Sequence, residues 1–239
     1  MNDLSVPPPP PPPPPLPTAA PRTVPLAGMR AAIARNMEQG WRVPRVAQTI
    51  GVDVSKLQAL RAAAPAGSRV SLTAYVLRAV ALCLVDHPRL NARIREKDIE
   101  LLDDVNLGLA VSLDEGLMVP VLRNADLKSA AELGEEARVL ADGARRGLLS
   151  AGSYQRGTFT VTNLGNTGID AFTPIISSPQ VAILGVTRVE DKPVVRDGAI
   201  VAAPMMGLHL VFDHRAVDGY PAALFLSDLK RRLEAAEDL

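Results

Sequence analysis

Cysteine is almost missing from this chain of 239 residues: Cys83 stands alone, so no intrachain disulfide can form and nothing suggests an oxidising compartment. Histidine is scarce as well. One cysteine and three histidines are too few for a Cys/His zinc cage, and no metal centre is expected. A charge excess of either sign is also absent, with 26 Lys and Arg against 26 Asp and Glu. General nucleic-acid binding normally needs a basic surplus, so that class is excluded. The apolar run around Cys83, Ala79 to Val85, is bounded by Arg78 and Asp86. It falls far short of the roughly 20 residues that cross a bilayer. The N-terminus shows no basic stretch followed by an apolar one, the mark of a secretory signal. Neither G-x-G-x-x-G after a strand nor G-x-x-x-x-G-K-[ST] occurs, so nucleotide folds built on those loops have no support. The expectation is a soluble cytoplasmic protein without membrane or nucleic-acid partners.

What is present begins with proline. Pro7 to Pro15 form an unbroken run, and residues 1–24 read as a proline-rich arm, a stiff polyproline II spacer or a disordered tail. Residues 25–239 then have the length of one large domain with an ample core. Hydrophobic residues at 47% and charged residues at 22% are ordinary for a globular chain.

Periodicity divides that domain into helices and strands. Met29, Ile33, Met37 and Trp41 recur every four residues, a helical stripe suited to core or subunit contact, and Pro44 ends the helix. Val46 to Val54 suggest a strand, and Ser55 could cap a short helix through Arg61. Ser71 to Asp86 reads as a strongly apolar buried helix, and Ser129 to Arg146 as an amphipathic one. Strands are expected at Ile99–Leu102, Val105–Ser112, Leu117–Leu122, Thr158–Thr162, Val181–Val186, Lys192–Val195 and Gly207–Phe212. A last helix runs from about Tyr220 to Ala235. Helices and strands interleave while several strands are joined by short turns. That pattern favours a two-layer α/β sandwich on a mixed sheet over a doubly wound parallel one.

Histidine is the natural base near neutral pH. His87 precedes Pro88 at a helix end and reads as a cap or surface group. His209 lies inside an apolar strand and reads as structural. His214 differs: an apolar strand ends in Phe212-Asp213-His214-Arg215 and reaches Asp218-Gly219 before a helix. Such strand-to-helix connections hold functional groups on a rigid scaffold.

Phe212-Asp213-His214-Arg215-Ala216-Val217-Asp218-Gly219 resembles the H-x-x-x-D-G signature of the dihydrolipoamide acyltransferases of 2-oxo acid dehydrogenase complexes. Further blocks resemble that family in order: Pro25 to Arg30, Gly116 to Val121, Gly157 to Gly165, Phe172 to Ile176 and Pro179 to Gly185. The signature alone is weak; the ordered set, spanning about Pro25 to Glu234, is strong. The family's fold is that of chloramphenicol acetyltransferase.

The resemblance implies acyl transfer between the thiols of a dihydrolipoyl group and coenzyme A. His214 would be the general base and the Thr162 hydroxyl the oxyanion donor, with Asp218 orienting the loop through a buried ion pair or hydrogen bonds. Arg30 is a candidate counter-charge. Arg69 with Ser71 would hold the nucleotide end of coenzyme A, since arginine suits phosphate. The resemblance further implies a homotrimer with each active site at a subunit boundary, and 2-oxo acid dehydrogenase subunits as partners. Three departures accompany it. About 24 residues precede the core where the family carries lipoyl domains, so the lipoyl group is expected in trans. The Trp41–Val46 segment is one residue short, with Arg45 where the family usually has histidine. The C-terminal residues, rich in Glu and Ala, lack the family's leucine-rich tail, so the expectation is a trimer as the end state, or a larger shell that is weak and dissociates easily. Two other readings stand beside this one: an acyl-CoA-dependent transferase acting on a small-molecule acceptor, and a non-catalytic scaffold for assembly.

Overall fold

A computed structural model describes residues 23–239 apart from Glu115; the proline run and its expected polyproline conformation lie outside the described residues. In chain order the first elements are α1 (Gly28–Trp41), β1 (Arg45–Asp53), α2 (Ser55–Ala63) and α3 (Leu72–Asp86). Six short strands follow: β2 (Ala92–Ile94), β3 (Ile99–Leu101), β4 (Leu107–Leu109), β5 (Val111–Leu113), β6 (Gly116–Met118) and β7 (Val121–Leu122). The chain then forms α4 (Ala130–Arg145), β8 (Phe159–Asn163), β9 (Ala182–Arg196), β10 (Ala199–Asp213) and α5 (Gly219–Ala235).

Side-chain chemistry accounts for the helix ends. Ser71 accepts a hydrogen bond from the Ala74 N–H at 3.1 Å and starts α3. Ser129 and Glu132 form a reciprocal capping box at the start of α4. Ser55 does not cap α2 as expected. It is already helical, and its N–H and hydroxyl both donate to Asp53 Oδ1, at 2.9 and 2.6 Å.

The main sheet is six-stranded in the order β1-β10-β9-β8-β4-β7. Its pairs β4–β8 and β8–β9 are parallel and the rest antiparallel, the mixed sheet expected. Because side chains alternate across a strand, the sheet has two unlike faces. One face carries Phe159, Val161, Ala182, Leu184, Leu210 and Phe212 and packs against the helices in the main core. Leu77, Val80 and Leu84 from α3, Leu133 from α4 and Phe225 from α5 close that core, all but fully buried. Each such side chain contributes about 1.5–3 kcal/mol. The opposite face carries Thr160, Thr162, Ile183, Gly185, His209 and Val211, and a smaller apolar cluster of Ile176, Ile183 and Val211 lies there.

Three strand expectations are corrected. The two strands expected at Val181–Val186 and Lys192–Val195 are one 15-residue strand, β9, paired along its length with β10 of equal length. Val105–Ser112 is not one strand: it breaks at Ala110, with β4 in the main sheet and β5 leaving it to pair with β6. Leu117–Leu122 splits likewise into β6 and β7. The hairpin β2–β3 includes a strand, Ala92–Ile94, that the sequence pattern did not reveal. Among the described residues no helix is long and apolar enough to cross a membrane.

Candidate active site

Strand β10 delivers its buried end, Phe212 and Asp213, to the sheet edge and leaves the next residue outside. His214 has 45% of its side chain exposed. Its backbone N–H donates to the Pro44 carbonyl at 2.9 Å, and its ring lies 6.0 Å from that of Phe212. The turn is held by Asp213, whose side chain is 3% exposed. The Asp213 carboxylate accepts from the Arg215 backbone N–H at 3.0 Å and from its guanidinium Nε and Nη2 at 3.0 and 2.6 Å. The Asp213 carbonyl accepts from the N–H groups of Ala216 and Val217. Charge-assisted bonds of this fork geometry are short and strong, and the Asp213 contact raises the Arg215 pKa further.

Asp218 does not play the buried part expected of it. Its side chain is 80% exposed and stands at the N-cap of α5 without a capping bond. Its Oδ1 is 3.9 Å from His214 Nδ1, an ion-pair distance longer than a hydrogen bond. The buried carboxylate that fixes the loop is Asp213, which sequence reasoning missed. The signal was an acid closing an apolar strand with an arginine two residues on.

Thr162 lies on the other face of the sheet, in the wall of an apolar cleft of about 600 Å³. The β8-to-β9 crossover, irregular rather than helical, supplies Phe172, Pro174 and Ile175 to this cleft. Met29, Ile33 and Met37 of α1 form its opposite wall. The helical stripe therefore lines the cleft instead of entering the core. Gly185 is the strand partner of Thr162, and a Cβ there would meet Phe172 Cζ at 2.8 Å. The missing side chain is what lets the Phe172 ring lie against the sheet beside Thr162.

The same register shows that Thr162 and His214 do not meet within one chain. Thr162 pairs with Gly185, and Gly185 with His209, so His214 lies five residues further along β10 and two strands away. At about 3.3 Å per residue and about 4.8 Å per strand, the separation is on the order of 20 Å. A base and an oxyanion donor acting on one thioester need to lie within a few ångströms of it.

The other candidates fall as follows. Arg69 and Ser71 line a separate cleft of about 500 Å³ with Gly134 and Arg138 of α4. Arg69 is exposed, with one long bond of 3.4 Å from Nε to the Ala64 carbonyl, while the Ser71 hydroxyl is engaged in capping α3. Two residues on, Thr73 accepts from Asn163 at 2.9 Å, which ties this corner to the strand end beside Thr162. Arg30 is exposed and forms no ion pair with Asp218 among the described residues. Arg45 lies 3.7 Å above the Trp41 ring and donates to the Trp41 carbonyl at 3.0 Å. His87 ends α3 and contacts Asp228 at 2.8 Å, a bond that holds the Asp228 carboxyl below its ordinary pKa. His209 bonds the Thr49 hydroxyl at 2.9 Å, and burial lowers its pKa, as suits a structural neutral ring.

Known proteins share this fold. The pyruvate dehydrogenase dihydrolipoyllysine-residue acetyltransferase component of Bacillus subtilis is 40% identical over 216 residues, covering 87% of this chain and 49% of its own. The chain thus spans about half the length of that relative. The dihydrolipoamide acetyltransferase of Azotobacter vinelandii superposes with a TM-score of 0.87 at 34% identity, covering 93% of this chain and 98% of that one. Its structure was determined to define the catalytic roles of a serine, a histidine 52 residues later and an asparagine 4 residues after that. Chloramphenicol acetyltransferase, at 17% identity and a TM-score of 0.52 over 83% of this chain and 94% of its own, shares the fold. Residues 18–239 match the family described as 2-oxoacid dehydrogenases acyltransferase (catalytic domain), and the chain belongs to that family.

Proposed function

We propose that the protein transfers an acyl group between the thiols of a dihydrolipoyl group and coenzyme A. The observation that carries this reading is spacing: Thr162, His214 and Asp218 stand at the same intervals of 52 and 4 residues as the serine, histidine and asparagine of the Azotobacter enzyme. Threonine keeps the hydroxyl of serine, and aspartate keeps an oxygen acceptor where asparagine stands.

Each step follows from the groups present. The attacking alkyl thiol is protonated at neutral pH while the thiolate is the nucleophile, so a base raises its reactivity. His214 takes the thiol proton while the sulfur attacks the thioester carbonyl. A new carbon–sulfur bond forms and the carbonyl oxygen becomes an oxyanion, to which the Thr162 hydroxyl donates. Collapse breaks the old carbon–sulfur bond, and the leaving thiolate recovers the proton from His214. Asp218 is a positioning residue: its carboxylate stands 3.9 Å from His214 Nδ1, on the side of the ring away from the reacting thiol. Arg69, with Ser71 beside it, faces the phosphates of coenzyme A.

The separation of about 20 Å within one chain requires His214 and Thr162 to come from different copies. A homotrimer, with a site at each of its boundaries, provides this. The lipoyl group arrives on a carrier domain, charged with its acyl group by the dehydrogenase subunits of a 2-oxo acid complex. Residues 25–239 make up the catalytic domain, behind a proline-rich arm. The lone buried thiol and balanced charge support a cytoplasmic setting. The test is incubation with a panel of acyl-CoAs and free dihydrolipoamide. Acyl-dihydrolipoamide formation is expected. Transfer to amines or alcohols but not to the dithiol would favour a small-molecule acyltransferase, and no transfer would favour a scaffold.

A further inference from the structure

The apolar cleft beside Thr162 continues into a second cavity of about 400 Å³, with which it shares Asn36, Val119, Tyr154 and Ser177. The two differ in chemistry. The lining of the second includes Arg93, Arg156, Gln155 and Gln180 and no aspartate or glutamate. It lies further back along β8: Thr160, two residues or about 7 Å before Thr162, donates to Gln180 Oε1 at 2.6 Å. That bond occupies the Gln180 amide oxygen, while the residue itself lines the cavity.

Arg93 is the unusual member. Its Nε is buried and has no hydrogen-bond partner among the described residues. Its cross-strand neighbour Glu100 is already held by Arg95, at 2.8 and 3.0 Å. Asp104, the carboxylate that Arg156 contacts at 3.4 Å, is also bound by Asn106 at 2.5 Å. Arg156, at 68% side-chain exposure, sits at the rim. A half-buried guanidinium without a counter-ion is costly, and a planar carboxylate is the partner whose geometry fits it in a fork.

We propose that this second cavity is a carboxylate subsite of the active centre, in which Arg93 binds a free carboxylate at the far end of the chain lying in the cleft. The assignment rests on the acyl transfer proposed above. The carboxylate has two possible sources: the distal end of a dicarboxylic acyl group, or the free acid end of an acceptor dithiol. Arg93 is a specificity residue and takes no part in proton transfer.

Two kinetic comparisons separate the sources. Acetyl-CoA and succinyl-CoA are compared with dihydrolipoamide as acceptor, and dihydrolipoamide and dihydrolipoate are compared with acetyl-CoA as donor. In one comparison the carboxylated member is expected to have a KM about 10-fold lower. Arg93→Gln erases that preference and leaves the neutral substrates within about 2-fold, whereas Arg93→Lys keeps part of it. Titration calorimetry with lipoate and with succinyl-CoA reads the subsite without turnover, so a protein that binds but does not transfer counts against the reaction and not against the subsite. Absence of a carboxylate preference in both comparisons and in calorimetry would overturn the proposal. So would a preference that survives Arg93→Gln, or a variant that weakens coenzyme A and every acyl-CoA alike.

Discussion

His214 carries its ring outside the core at the end of a buried strand, so its removal costs little packing. His214→Ala is expected to lower turnover about 10²–10⁴-fold with the thermal melt nearly unchanged. Turnover within a few-fold of the parent would remove it from the chemistry. For Thr162 the informative pair is Val and Ser. Thr162→Val keeps the shape and loses the donor, and is expected to lower turnover about 10²–10³-fold with little change in acyl-CoA binding. Thr162→Ser is expected to retain most of the rate, and equal rates for the two variants would exclude the oxyanion role. Both residues stand in local blocks with a recognisable spacing, which is why the sequence alone nominates them. It does not nominate Asp213 or Arg93. The burial of Asp213 and the missing partner of Arg93 are set by residues far away in the chain, and no local pattern carries them.

At the scale of elements, the crossover between β8 and β9 does most to make the cleft. It replaces the usual helix with a strap whose Phe172 lies where Gly185 has no side chain. Gly185→Ala drives a methyl group into that ring, and overpacking of this kind costs about 1–3 kcal/mol. The melting temperature is expected to fall, and Phe172→Leu in the same chain to recover part of the loss. An unchanged melt in the single variant would mean that the strap is not seated against the sheet. Helices α3, α4 and α5 were legible to within a residue or two, because their apolar periodicity and, for α4, its capping box are local. The strands were less so. Val105–Ser112 reads as one apolar run, yet Ala110 divides it because β4 pairs with β8 while β5 pairs with β6. Pairing partners are a tertiary property, and an apolar run alone does not name them. The stripe on α1 was legible as a helix but not as a cleft wall, since periodicity tells which residues share a face and not what that face meets.

At the scale of the whole molecule, the fold places His214 and Thr162, the proposed base and oxyanion donor, on opposite sides of one sheet's width. The helical face buries the core, and the other face, with the strap and α1, leaves the cleft open. Under the proposed mechanism a single chain holds two half-sites, and the account depends on a second copy completing each. Co-expression of His214→Ala with Thr162→Val chains tests this most directly. Each variant alone is inactive at every site. In randomly mixed trimers a site is whole when its histidine comes from a Thr162→Val chain and its threonine from a His214→Ala chain, so about one quarter of the parent rate is expected. A mixed preparation no more active than the two variants assayed separately would contradict the shared site, and with it the mechanism.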